Sequence, residues 1–92
     1  MIKVFTTKTF DQLFLELDEK IQKKSARKTD LFRENPFDQA LRTEKLHPKK
    51  YAVWSFRVDL DYRIVFRFIK KGVVEFMFIG HHNQIYDYKI FR

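Results

Sequence analysis

The sequence holds no cysteine, two glycines, two prolines and three histidines in 92 residues. Without cysteine there is no disulfide framework, no thiol nucleophile and no Cys-ligated zinc. The histidines are His47, His81 and His82, and none forms a helical i, i+4 pair. No metal site and no cofactor are therefore expected. Scarce glycine and proline mean few turns and no low-complexity segment. There is no Gly-rich phosphate loop, no GxSxG string and no C2H2 spacing. No run approaches the roughly 18–20 apolar residues of a membrane helix. The start, Met1-Ile2-Lys3-Val4-Phe5, is too short and too quickly polar for a signal peptide. No membrane partner and a cytoplasmic location are the expectation.

What is present is positive charge and aromatic bulk. Nineteen Lys plus Arg against twelve Asp plus Glu give a formal net charge of +7. Such an excess suits a polyanion or an acidic protein. Eleven phenylalanines bury large area per residue, which a small domain needs. The length allows one core, so residues 1–92 are read as a single domain.

Ile2 to Phe5 reads as a short strand. Phe10, Leu13, Phe14, Leu17 and Ile21 then recur at helical spacing. Thr9 and Gln12 match a capping box. Lys20 to Asn35 is helix-compatible, and a bend near Lys24-Ser25 would give a helical hairpin. Asn35-Pro36 stops it, because proline lacks a donor and disfavours helix in the residue before it. Phe37 to Leu41 suits one extra turn, and Arg42 to Lys50 reads as a charged connector.

From Tyr51 the period becomes two, and three antiparallel strands are expected up to Gly80. Asp59-Leu60-Asp61 and Lys70-Lys71-Gly72 are the turns between them. A last edge strand is expected over Tyr86 to Phe91. Alternation puts Trp54, Phe56, Val58, Ile64, Phe66, Phe68, Val74, Phe76 and Phe78 on one face, against the helices. Ser55, Arg57, Arg63, Val65, Arg67, Glu75 and Met77 fall on the other. The fold class is α+β: an N-terminal strand, a helical hairpin, then a curved antiparallel sheet.

Arg57 and Arg63 flank the first turn on one predicted face. Paired guanidinium groups suit a phosphate. The competing reading is a solvated face on which Glu75 pairs with Arg67. His81 and His82 follow the third strand and can exchange protons near neutrality. Adjacent residues of a strand point to opposite sides, so one of the two would face the arginines, and alternation favours His81. Glu44 is a lone carboxylate for which Lys45 or Arg42 would be ordinary partners. Tyr86 and Tyr88 could stack on bases or cover a core edge.

The order of several strings resembles the RelE/ParE superfamily of bacterial toxins, above all its mRNA-cleaving branch of RelE, YoeB and YafQ types. The strings are Phe32-Arg33-Glu34-Asn35-Pro36-Phe37, Glu44-Lys45-Leu46, Trp54-Ser55-Phe56-Arg57-Val58, Asp61-Tyr62-Arg63-Ile64-Val65-Phe66, and Ile79-Gly80-His81-His82 followed by Tyr86. They span nearly the whole chain. The resemblance implies a type II toxin that cleaves mRNA on the ribosome without a metal. It places Glu44 as base, Arg57 and Arg63 on the phosphate, His82 (with His81 as competitor) as acid, and Tyr86 against a base. It carries Asp61 only weakly, from YafQ-like members. Its implied partners are a cognate antitoxin and the ribosome with mRNA in the A site; operator DNA is reached only through the antitoxin. Lys45, Lys49, Lys50 and Arg67 then read as RNA-binding charge. The approach to Trp54, His47-Pro48-Lys49-Lys50-Tyr51, departs from the family's Gly-rich pattern. Two other roles stay open: a ParE-like inhibitor of DNA gyrase, and an inactive member that acts with its antitoxin in transcriptional autoregulation.

Overall fold

The computed structural model describes residues 1–87, with side chains to Ile85. The elements in order are β1 (Lys3–Thr6), α1 (Lys8–Glu16), α2 (Glu19–Glu34), β2 (Glu44–Lys45), β3 (Trp54–Arg57), β4 (Tyr62–Lys70), β5 (Val73–His81) and α3 (His82–Asp87). Short 3-10 turns at Gln39–Leu41 and Lys49–Tyr51 flank β2. The sheet order is β1-β5-β4-β3-β2. β1 joins β5 in parallel, and the other pairings are antiparallel. The expected α+β order is the observed one. No helix among the described residues is long and apolar enough to cross a membrane.

The helical hairpin breaks earlier than the sequence suggested. Leu17 is extended, and the Asp18 carboxylate accepts the Ile21 N–H at 3.1 Å to start α2. An N-cap aspartate satisfies an otherwise orphan donor and faces the positive helix end. Ser25, the expected bend, lies inside α2 and is buried. The cap of α1 also moves. Thr7, not Thr9, accepts the Phe10 N–H at 3.0 Å, and its hydroxyl donates to the Met77 carbonyl at 3.1 Å. The predicted stop holds: α2 ends at Glu34, with Asn35 as its cap before Pro36.

The helices cover one face of the sheet. Phe32 is fully buried there, with its ring 4.8 Å from Phe56, 4.9 Å from Phe66 and 5.4 Å from Phe76. Phe10, Ile21, Leu41, Val58, Ile64, Val74 and Ile79 complete this core.

The other face was expected to lie open, and it does not. A second apolar cluster joins Leu46, Val53, Val65, Phe78 and Ile85. A bulge in β5 brings Phe78 into it. Val65 pairs with Phe78 but Phe66 pairs with Phe76, so Met77 is the unpaired extra residue. A bulge shifts the alternation by one beyond it. Phe78 therefore leaves the helix-facing core, contrary to the alternation, and Ile79 takes a place there. The expected edge strand from Tyr86 is also replaced at its start. Residues 82–87 form α3, whose Ile85 covers Val65 and Phe78. Residues 88–91 of that expected strand lie outside the described residues.

Candidate active site

β3 and β4 form a hairpin that pairs Arg57 directly with Arg63. Both side chains are half-buried. The turn between them is built by Asp59. Its Oδ1 accepts the Asp61 N–H at 2.9 Å and the Tyr62 N–H at 2.8 Å. Its Oδ2 lies 3.4 Å from Lys24 Nζ on α2. Burial pushes the Asp59 carboxyl up, but the two backbone donors and Lys24 outweigh it and hold it below its ordinary 3.8. The turn in turn supports Arg63. Its Nη1 donates to the carbonyls of Asp59 at 2.9 Å, Leu60 at 3.1 Å and Tyr62 at 3.1 Å.

This gives an acid-stability prediction. A carboxyl lowered on folding stabilises the native state above its unfolded value, and that contribution is lost as pH falls through the lower folded value. Acid unfolding below about pH 4 should therefore be less steep in Asp59→Asn. Melting curves from pH 2 to 7 check it; an unchanged acid slope would remove Asp59 from this role.

Glu44 reaches the same face through β2, the short strand hidden in the predicted connector. It pairs with Ser55, two residues before Arg57 on β3. Diagonal neighbours of this kind lie roughly 7–8 Å apart. Glu44 is exposed.

The β5 bulge sets the register of the histidines against the arginines. Gly80, not His81, stands opposite Arg63, and His81 pairs with Tyr62. A side chain at Gly80 would meet Gln84 Oε1 at 2.6 Å and the Phe78 ring at 2.9 Å. Glycine thus allows α3 to fold back directly after the strand. The two imidazoles do not oppose each other as strand neighbours would, because His82 already belongs to α3. Their rings stack, 4.5 Å apart and tilted by 29°. The His82 N–H donates to the Asp61 carbonyl at 2.6 Å, which pins the strand end to the turn.

One end of the sheet therefore gathers Arg57, Arg63, Asp61, His81 and His82, with Glu44 diagonal to Arg57. The expected trio of arginines is not one group. Buried Val65, under Ile85, separates Arg67 from Arg63, and Arg67 Nε donates to Glu75 Oε1 at 2.9 Å. Lys45 points to the helix side, its Nζ 5.7 Å from the Trp54 ring. Lys49 and Lys50 are exposed on the turn before β3, with Lys50 Nζ 5.4 Å from the Tyr51 ring. Tyr86 lies in α3, but its side chain is outside the described set. Asp59 and Gln84, whose Oε1 accepts the His81 N–H at 3.0 Å, were missed as supports. The Asp59-Leu60-Asp61 string carried a turn signal for one; nothing in the sequence marked Gln84.

The five-stranded sheet thus carries a helical hairpin on one face and a basic, histidine-edged strip at its end. Residues 4–86 match the family model of the ParE toxin of type II toxin–antitoxin systems, and the chain belongs to that family, within the RelE/ParE superfamily. Nothing matches among curated proteins. Among solved structures, a YoeB/ParE toxin from Agrobacterium tumefaciens superimposes with TM-score 0.73 at 19% identity, covering 88% of this chain and 99% of that one. YafQ from E. coli strain BL21(DE3) gives 0.72 at 13%, covering 94% and 99%. A chain of the archaeal RelE–RelB complex from Pyrococcus horikoshii gives 0.72 at 15%, covering 90% and 97%. These likenesses show the shared fold.

Proposed function

We propose that this toxin is an endoribonuclease that cleaves mRNA in the ribosome and is neutralised by a cognate antitoxin. The observation that carries this reading is the Arg57–Arg63 strand pair at the same end of the sheet as the stacked His81–His82 rings. Cleavage begins when a ribose 2′-OH attacks the adjacent phosphorus. The bond to the 5′-oxygen breaks, leaving a 2′,3′-cyclic phosphate and a 5′-OH. Glu44 takes the 2′-OH proton, and His82 gives a proton to the leaving oxygen. Each of these roles is typically worth about 10²–10⁴ in rate. Arg57 and Arg63 hold the charge that gathers on the phosphate. The strand register favours His82 over His81 as acid, since His81 pairs with Tyr62, which packs on the helix-side core, and not with Arg63. Tyr86 is assigned to base contact on resemblance alone. Lys45, Lys49 and Lys50 supply docking charge for ribosomal RNA, and Arg67 does so only after leaving Glu75. The RelE–RelB neighbour supports an antitoxin partner.

The matching family model bears the ParE name, and this favours a second reading, inhibition of DNA gyrase without nuclease chemistry. Mapping mRNA 5′ ends after induction separates the two. New ends inside translated codons are expected. Growth arrest with intact messages and a DNA-damage response would establish the gyrase reading, and no arrest at all would leave autoregulation with the antitoxin.

A further inference from the structure

We infer that Asp61, His81 and His82 form a binding site for a divalent transition-metal ion of the zinc class. One ligand atom from each of the three lies within 4.8 Å of the others. They come from two segments, the β3–β4 turn and the β5–α3 junction. The backbone already holds those segments together, through the His82 N–H on the Asp61 carbonyl at 2.6 Å. Their approach therefore does not depend on the side chains alone.

The donor set fits this ion class. Two imidazoles and a carboxylate are borderline nitrogen and hard oxygen ligands, which suit zinc and its neighbours better than magnesium or calcium. Zinc to nitrogen or oxygen distances of about 2.0–2.2 Å place tetrahedral ligand atoms roughly 3.4 Å apart. The groups must close by little more than an ångström. All three are at least partly exposed, so rotation is open to them. Three protein ligands leave a fourth position for water or a phosphate oxygen.

One contact opposes capture. His81 Nδ1 accepts the Asn83 N–H at 3.2 Å, which leaves the proton on Nε2, 4.0 Å from Asp61 Oδ1. Binding through Nε2 requires the other neutral tautomer, the proton moving from Nε2 to Nδ1 through solvent with no net release. The Asn83 contact is then given up, but it is long and exposed, so its N–H finds water.

The consequence rests on the nuclease reading: an ion on either ring nitrogen of His82 keeps that imidazole from becoming the imidazolium that would protonate the leaving oxygen. The metal-bound and catalytic states exclude each other, and zinc acts as an inhibitor.

The test is calorimetric titration of untagged full-length protein with zinc chloride, in parallel with cobalt(II) absorption spectroscopy. One ion per chain is expected, with tetrahedral cobalt bands. Asp61→Asn and His81→Gln, each checked for folding by circular dichroism, should weaken binding by at least about tenfold. Absent binding, or binding untouched by both substitutions, overturns the site. Cleavage of translated mRNA with and without zinc is read separately. A chain that cuts mRNA but binds no zinc overturns the metal site alone. A chain that binds zinc at these residues yet never cuts mRNA confirms the site and overturns the nuclease reading. Cleavage that continues at saturating zinc overturns the inhibition.

Discussion

Arg63→Ala is expected to lower mRNA cleavage by about 10²–10³-fold, the usual cost of removing one positioned donor to a charge that develops in the transition state. The guanidinium is suited to this because its head is held before substrate arrives. Three carbonyls of the β3–β4 turn orient Nη1, and the Asp59 carboxylate shapes that turn. Arg63→Lys should rescue only part of the loss. A lysine keeps the charge but lacks the planar fork. Because Arg63 also contacts the turn, the measurement pairs cleavage kinetics with a melting curve. A folded Arg63→Ala protein that still arrests growth and cuts mRNA would remove Arg63 from the phosphate site.

The second large effect concerns the fold. Phe32→Ala should cost about 3–5 kcal/mol, as for other buried aromatic truncations. Phe32 is fully buried and touches rings from β3, β4 and β5, so α2 and three strands close around one side chain. Small domains have only about 5–15 kcal/mol in total. A fall in Tm of roughly 12 °C or more follows for a chain of this size. Phe32→Leu should recover much of it by refilling the volume. A loss below about 1 kcal/mol for Phe32→Ala would mean that the ring stack relaxes into the space.

Much of this architecture could be read from the residues. Helical spacing, the Asn35-Pro36 stop and the switch to period two at Tyr51 placed the layers in order. The hairpin break was not legible, because the apolar stripe runs through it: Leu17 and Ile21 both return to the same core on either side of Asp18. The face reversal was hidden for a different reason. Phe76, Met77 and Phe78 are all large and apolar, so no polar residue marks which one is unpaired. β2 is two residues long, too short to show a period. At the site, Arg57 and Arg63 were legible because they flank a recognisable turn. The histidines were not, since their placement depends on the bulge upstream and on a helix that begins within the pair.

That unpaired Met77 has a consequence for how the strand can vary. β5 is a phase shifter between two layers: Val74 and Phe76 count with the helical side before it, and Ile79 rejoins that side after it. The spacing from Phe76 to Gly80 is therefore a metric requirement, independent of which apolar residues fill it. Substitution within the segment changes packing by degrees. Loss or gain of one residue would exchange inner for outer at every later position and carry Gly80 and His82 out of step with Arg63.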